Sequence, residues 1–268
     1  MNNAHLKTVL ALVFVLALPP TVQSQERNEK VSNSVRLRMH RVAELTNIER
    51  IKEGLAPLKL QENLSTASLW MANDMAQKNY FGHQDSVGRA IGQRLPGYGY
   101  KHYRTIAENI AAGQTSAREV VASWMRSPGH RANLLSPYFR ELGVGYVAVP
   151  GTTYETYWVQ DFGMRRNTCP VVVNLEAMTT ASPKVQLYMH GAQWGASEMR
   201  FSNDGQHWTA WETYRPNVDW TLEGEDGEKT VYAEVRNSDG DVISAEDTIL
   251  LQTEKPKSTG RNAIIPRR

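Results

Sequence analysis

The spacing of apolar residues changes near residue 184, and no other feature constrains the fold of this chain as strongly. Before that point apolar residues recur every three or four positions, as in the stripe from Val35 to Leu45, which is the pattern of an amphipathic helix. From Lys184 onward, short strand-forming runs alternate with turn residues instead. The sequence therefore predicts a mixed α+β domain over residues 35–165 and an all-β domain over residues 184–252, joined by a linker over residues 166–183.

The first domain is predicted to contain three helices and two strands, without a regular βαβ repeat. The predicted elements are a helix ending at Gly54, a helix over 64–79 capped by Asn63 or Ser65, a helix beginning at the capping box Ser116–Glu119, and strands over 143–149 and 154–162. Short irregular or helical pieces are expected between the second and third helices.

The second domain is predicted to be an immunoglobulin-like β-sandwich. Turn sequences that contain Asp-Gly separate its strands, and four tryptophans supply apolar area for a small core. The predicted strands cover residues 185–189, 198–202, 230–236 and 242–251, and the tryptophans are Trp194, Trp208, Trp211 and Trp220.

The N-terminus has the pattern of a secretory signal peptide. Lys7 precedes an apolar run from Val9 to Leu18, and a small-residue site follows, with cleavage expected near Ser24. The run is too short to span a bilayer comfortably, so an uncleaved membrane anchor is the less favoured alternative, and no later segment has the length of a transmembrane helix. We therefore expect a signal peptide over residues 1–24, a flexible lead over residues 25–34, and a mature protein that is secreted, periplasmic or extracellular.

Composition excludes one class of partner and says little about others. The chain is 41% apolar and 22% charged with a formal net charge of +2, and its basic residues are scattered, so no nucleic-acid-binding surface is expected. The tail over residues 253–268 is basic and predicted to be disordered. Cys169 is the only cysteine. Its thiol is expected to be buried and inert rather than paired between chains.

Three motifs place polar side chains at the ends of predicted elements. The motifs are Tyr80–Asp85, Ala107–Gly113 and Trp124–Leu135. They contain His83, Glu108 and His130. Two imidazoles and one carboxylate can bind a divalent metal such as zinc, with His83 and His130 as ligands, and leave one coordination position open. The same side chains can form an acid–base set in which Glu108 orients a histidine.

The spacing of these residues also permits purely structural roles. More than twenty residues separate each member of the set from the next, whereas compact metal motifs have short spacings. His130 could bond a helix carbonyl, and Glu108 could cap a helix or pair with Arg131. The side chains that flank the set, as candidates for binding a ligand or for satisfying the backbone, are Asp85, Asn109, Arg131 and Asn133.

The motifs and their order resemble the bacterial branch of the CAP superfamily, which includes cysteine-rich secretory, antigen 5 and pathogenesis-related proteins. The resemblance covers about residues 35–162. It implies an α-β-α sandwich with a central cavity that is lined by two histidines and two acidic residues and sometimes holds a divalent metal. Three of these positions match His83, Glu108 and His130. The fourth falls near Ser127, which is not acidic. The candidate substitutes are Asp85, Glu119 and Glu141.

Three functions are compatible with such a site. The first is a non-enzymatic protein of the cell envelope or exterior, whose cavity binds a small molecule, a lipid, a cell-surface ligand or a divalent metal while the β-domain serves adhesion or spacing. The second is a metal-assisted or acid–base hydrolase, such as a protease, that uses the same cavity. A surface protein with a vestigial cavity is a third. A serine hydrolase is not expected, because no Gly-x-Ser-x-Gly motif occurs.

Overall fold

The computed structural model describes residues 22–253 of the 268-residue chain. The predicted signal peptide over residues 1–24 and the predicted basic tail over residues 253–268 therefore lie almost entirely outside the described residues. Both predicted domains lie in one compact unit that begins at Val35. Between residues 22 and 253, no helix is both long enough and apolar enough to cross a membrane.

The first helix, α1, spans Val22–Lys52 and includes residues 25–34, for which the sequence predicts a flexible lead. That prediction is wrong, because the backbone of these residues is helical. Polar character alone does not prevent a helix. These ten residues contain no glycine or proline, and several are Gln, Glu, Lys or Arg, which have good helix propensity. The helix ends as predicted before Gly54, whose φ of 71° lies in the left-handed region.

The first domain contains a four-stranded sheet and further helices. In chain order, its elements are β1 (Lys59–Leu60), α2 (Glu62–Lys78), α3 (Ile91–Arg94), β2 (Tyr103–Ala112), α4 (Ala117–Arg126), α5 (Pro128–Leu134), β3 (Glu141–Ala148) and β4 (Thr156–Arg165). The strand order is β1-β3-β4-β2, with β1 parallel to β3 and the other neighbours antiparallel. The prediction that this domain mixes helices and strands is therefore confirmed.

Helices cover both faces of this sheet. On one face, α2 contributes Met71 to an apolar core that also contains Val159 of β4. On the other face, α1, α4 and α5 enclose a core that contains Trp124 and Trp158. Because successive strand residues point to opposite faces, Trp158 and Val159 lie in different cores, as the alternation along β4 predicts.

Two glycines bring α2 unusually close to β3. A Cβ on Gly143 would lie 2.2 Å from the carbonyl carbon of Leu64, and one on Gly145 would lie 2.3 Å from the carbonyl group of Ser68. No side chain fits at such distances, so only glycine allows this approach. The approach brings the Ser68 hydroxyl within hydrogen-bond distance of Asp161 on β4.

The predicted caps are partly confirmed. Ser116 accepts a hydrogen bond from the Glu119 amide at the start of α4, as predicted. The N-cap of α2 is Gln61 rather than Asn63 or Ser65, because the helix begins two residues earlier than expected and the Gln61 side chain accepts from the Leu64 amide.

Residues 171–251 form two sheets that share one core, and we term this part the β-module. Its strands are β5 (Val171–Val173), β6 (Thr179–Thr180), β7 (Lys184–Met189), β8 (Ala196–Ser202), β9 (Glu212–Thr213), β10 (Asn217–Thr221), β11 (Gly227–Asn237) and β12 (Val242–Leu251). One sheet has the order β10-β7-β5 and the other β6-β12-β11-β8-β9. All four predicted strands are present.

The predicted linker over residues 166–183 is wrong from residue 171 onward. The strands β5 and β6 lie there, and Val171 and Val173 are buried in the core of the β-module. A run of three valines is too short to show a period, so the sequence pattern does not mark it as a strand. An immunoglobulin-like topology stays a prediction.

Lys59 of β1 joins the two domains through buried ion pairs. Its Nζ lies 2.6 Å from Asp247 Oδ1 on β12 and 3.1 Å from Glu176 Oε1. Both carboxylates are almost fully buried. Burial, together with the nearby charge of Asp247, raises the pKa of Glu176 to about 8. The domains therefore meet at a buried charged contact, in which each group depends on the others to offset its desolvation.

Candidate functional site

Glu108 lies in the middle of β2, directly opposite Asp161 of β4. The sequence suggested a position between irregular structure and a helix, because Glu108 stands among small residues such as Ala107 and Ala111 and the segment does not alternate clearly. Helices cover both faces of the sheet, and a strand that is buried on both faces need not alternate. Residues that oppose each other in an antiparallel pair share a face. The side chains of Glu108 and Asp161 therefore lie together on the α2 side.

The carboxylate of Glu108 is held by two partners. His83 Nδ1 lies 2.8 Å from Glu108 Oε1, and the guanidinium of Arg94 donates to Oε2. Arg94 also donates to the His83 carbonyl at 2.9 Å and to the Arg89 carbonyl at 3.1 Å. The side chains of Glu108 and Arg94 are only 3% and 1% exposed, so each charge depends on the other. No sequence pattern indicated a role for Arg94, since this residue lies in a one-turn helix without a motif.

His83 lies in the loop after α2, which ends at Asn79 in the left-handed conformation. Its side chain is 58% exposed. The hydrogen bond to Glu108 raises the pKa of the His83 imidazole above its usual value, and partial burial offsets only part of this rise. The ring therefore retains a proton more readily at neutral pH than an ordinary histidine.

His130 lies in the first turn of α5 rather than just past a helix end. The reason is that α4 ends at Arg126 and Pro128 immediately begins a new helix. Burial lowers the pKa of His130, and the charge of nearby His83 lowers it further. Within the part of the chain that the structure describes, neither ring nitrogen of His130 has a hydrogen-bond partner. The pKa of His83 is thus raised above that of an ordinary histidine, and the pKa of His130 is lowered below it.

Asp161 supplies a second acid beside Glu108, and the sequence did not reveal it. Burial, followed by the negative charge of Glu108, raises the pKa of Asp161 well above its usual range. Ser68 Oγ donates to Asp161 Oδ2 at 2.8 Å, whereas Oδ1 has no donor among the described residues. A proton on Asp161 that is donated to Glu108 satisfies Oδ1 and removes the repulsion between the two carboxylates.

The predicted substitutes for the fourth acid lie elsewhere. Asp85 pairs with Arg89 at 2.7 Å, Glu119 accepts from backbone and hydroxyl groups at the start of α4, and Glu141 forms an ion pair near the C-terminal end of β4. The pairing register of β2 with β4 places Asp161 next to Glu108 as the second acid. Because β2 was not predicted from the sequence, this register could not be predicted either.

Two asparagines secure the helix that carries His130. Asn109 Nδ2 donates to the His130 carbonyl at 3.2 Å, and Asn133 Nδ2 donates to Asn109 Oδ1 at 2.9 Å. These bonds hold α5 against β2, which is the backbone-satisfying role that the sequence suggested. Arg131 lies outside the site, because its exposed guanidinium pairs with Glu53 at 2.8 Å rather than with Glu108 or Glu141.

The donors that stay free at this site do not make a zinc site by themselves. Both oxygens of Glu108 are engaged, by His83 and by Arg94, which leaves two imidazoles. Zinc sites in proteins use at least three protein ligands. Among the described side chains, no group of three or more His, Cys, Asp or Glu residues could hold a metal ion.

The part of the chain that contains this site is similar to a known protein family. Residues 43–162 match the model of the cysteine-rich secretory protein family, CAP. The chain is 40% identical over 144 residues to the uncharacterized protein YkwD of Bacillus subtilis (strain 168), and the match covers 54% of each chain. It is 30% identical over 128 residues to the uncharacterized membrane protein YlbC of the same organism, which covers 48% of this chain and 36% of YlbC.

A solved structure is also similar to part of the chain. It is an extracellular protein containing a SCP domain from Bacillus anthracis str. Ames, with 28% identity and a TM-score of 0.43, and the match covers 56% of this chain and 45% of that one. The present chain spans about half the length of YkwD and just over a third of YlbC.

Proposed function

We propose that the CAP domain formed by residues 43–162 binds a small polar ligand at His83 and His130. We further propose that the chain works outside the cytoplasm and that the β-module, with an immunoglobulin-like fold, serves adhesion or spacing. The N-terminal apolar run followed by a small-residue site supports export.

One observation carries this proposal: a half-exposed imidazole is held in a fixed orientation by a buried carboxylate. Glu108 engages His83 Nδ1 at 2.8 Å and is itself held by buried Arg94. The Nε2 atom of His83 therefore stays available to a ligand, and so do both ring nitrogens of His130. The contacts of His83 with its neighbours already fix the orientation of its side chain. The side chain therefore loses little conformational entropy when a ligand binds.

The hydrolase alternative has a specific observation in its favour. The pKa of His83 is raised while that of His130 is lowered, and pairs of groups pushed apart in this way often divide the roles of acid and base. At neutral pH His130 would accept a proton from water, and His83 would donate one to a leaving group. Metal binding has weaker support, because only two imidazoles are free.

A double variant tests binding against catalysis. Soluble peptidoglycan fragments and ZnCl2 are added separately to the wild type and to His83→Gln/His130→Gln, and Tm is measured. A ligand at one hundred times its Kd stabilises by about 2.7 kcal/mol, which is roughly 5–10 °C for a chain of this size. We expect a shift with the peptidoglycan fragments in the wild type and none in the double variant.

His207→Gln serves as the matched control, because His207 is highly exposed and lies in the β-module. Shifts of equal size in wild type and double variant would refute binding at these histidines. Cleavage of labelled casein that disappears in the double variant would establish the hydrolase instead. A shift of Tm with ZnCl2, checked by metal analysis of the purified protein, would distinguish metal binding from the binding of a small polar ligand and from hydrolysis.

A further inference from the structure

A second polar pocket lies where the CAP domain meets the β-module, and four arginines line it. Its volume is about 240 Å³. The arginines are Arg104, Arg140, Arg165 and Arg166, and Gln193 and Trp194 of the β-module also line the pocket. We term this the arginine pocket. None of its residues belongs to the His83–Glu108–His130 site.

The positive charge of the arginine pocket is mostly uncompensated. Arg165 is paired, since its Nε lies 3.0 Å from Oε1 of buried Glu141. Arg140 donates only to neutral acceptors, the Thr168 carbonyl at 2.9 Å and Gln193 Oε1 at 2.6 Å. The structure gives the side chains of Arg104 and Arg166 no hydrogen bond or ion pair within residues 22–253. Three guanidinium groups therefore share one pocket without a carboxylate.

The backbone is shaped to bring these arginines together. In the β2–β4 ladder, Tyr103 pairs with Arg165 and Thr105 pairs with Met164, so Arg104 is the extra residue of a β-bulge. A bulge turns its side chain out of the regular alternation and often occurs beside functional sites. In the turn just after β4, Asn167 follows Arg166 with a φ of 52°, which turns the chain sharply at the pocket.

We propose that the arginine pocket binds a phosphate-bearing anion with at least two negative charges, of about the size of diphosphate. Guanidinium groups present planar pairs of donors that match phosphate oxygens. Positive groups that line one pocket repel one another, and an anion bound between them offsets that repulsion. The volume is below the range of typical cofactor and drug-sized sites, which favours a compact anion. The phosphate can belong to a soluble diphosphate or to a phospholipid headgroup.

The pocket is tested by titration calorimetry on the full-length protein at two NaCl concentrations. Sodium diphosphate is one probe, and vesicles of phosphatidic acid in phosphatidylcholine, whose phosphomonoester headgroup carries up to two negative charges, are the other. The pocket variant is Arg104→Gln/Arg166→Gln. The matched control is Arg118→Gln/Arg126→Gln, which removes the same charge from exposed positions of α4 that lie outside the pocket.

We expect the Kd of at least one phosphate probe to rise tenfold or more in the pocket variant and to stay within twofold in the control. Binding of diphosphate identifies a soluble anion, and binding of vesicles alone identifies a lipid headgroup. Equal weakening in both variants would show unspecific charge attraction and overturn the proposal, as would no binding of either probe by the wild type.

The Tm without ligand provides a second readout. Because the structure gives the Arg104 and Arg166 side chains no bonding partner, the pocket variant is expected to melt at the wild-type temperature or slightly above it. A clear fall in Tm would mean that these arginines stabilise the fold, and the proposal would then be wrong even if binding were also lost.

Discussion

Replacing Gly145 by alanine tests the close approach of α2 to the sheet. The added Cβ would lie 2.3 Å from the carbonyl carbon and oxygen of Ser68 and 2.4 Å from the Leu69 amide nitrogen. These are backbone atoms of α2, so no side-chain rotation relieves the overlap, and helix and strand must separate by about 1 Å to reach ordinary contact. Overpacking of this kind costs about 1–3 kcal/mol and occasionally more. We expect Gly145→Ala to lie at the upper end, about 3 kcal/mol.

The free energy of unfolding is measured by urea denaturation, and Tm by circular dichroism. A loss of about 3 kcal/mol corresponds to a fall of roughly 6–12 °C in a chain of this size. Gly97→Ala is the matched control, because a Cβ there meets nothing within 4 Å and the φ of Gly97 is not positive. If Gly145→Ala lost no more stability than Gly97→Ala, the helix would not lie as close to the strand as described.

Three further predictions concern titratable groups. In an NMR titration, His83 is expected to titrate above 6.5 and His130 below it, and the reverse order would contradict the site geometry. The pKa of Glu176 is about 8 in the folded protein and 4.5 in the unfolded chain, so the folded state binds the extra proton between these values. Stability of the wild type should therefore fall relative to Glu176→Gln as the pH rises from 5 to 8, and a constant difference would refute this. Burial raises the pKa of the Cys169 thiol to about 11, so the folded protein at pH 8 should not react with Ellman's reagent until urea is added; rapid reaction without urea would show that the thiol is accessible.

The sequence predicted the elements that carry a clear period or cap. The apolar stripe of α2, the capping box at Ser116 and the alternation along β4 all lie where the pattern indicated. It did not predict β2, because Ala107, Ala111 and Ala112 are small residues between two helix layers and carry no strand signal.

The failure to predict β2 also explains why part of the candidate site was not predicted. His83, Glu108 and His130 stand in recognisable motifs. Asp161 and Arg94 became visible only through contacts across the fold, namely the pairing of Glu108 with Asp161 and the reach of Arg94 from a one-turn helix. Long-range register and the direction of a short helix depend on tertiary packing, which local sequence patterns do not contain.

The contact between Lys59 and Asp247 spans 188 residues of sequence, and this separation bears on the order of events during synthesis. At about 5–20 residues per second, a ribosome needs roughly ten to forty seconds to translate the stretch between them. Throughout that interval the ammonium group of Lys59 is available but its carboxylate on β12 does not yet exist. The edge strand β1 of the four-stranded sheet therefore cannot form this contact until β12, the last of the described strands, has been made.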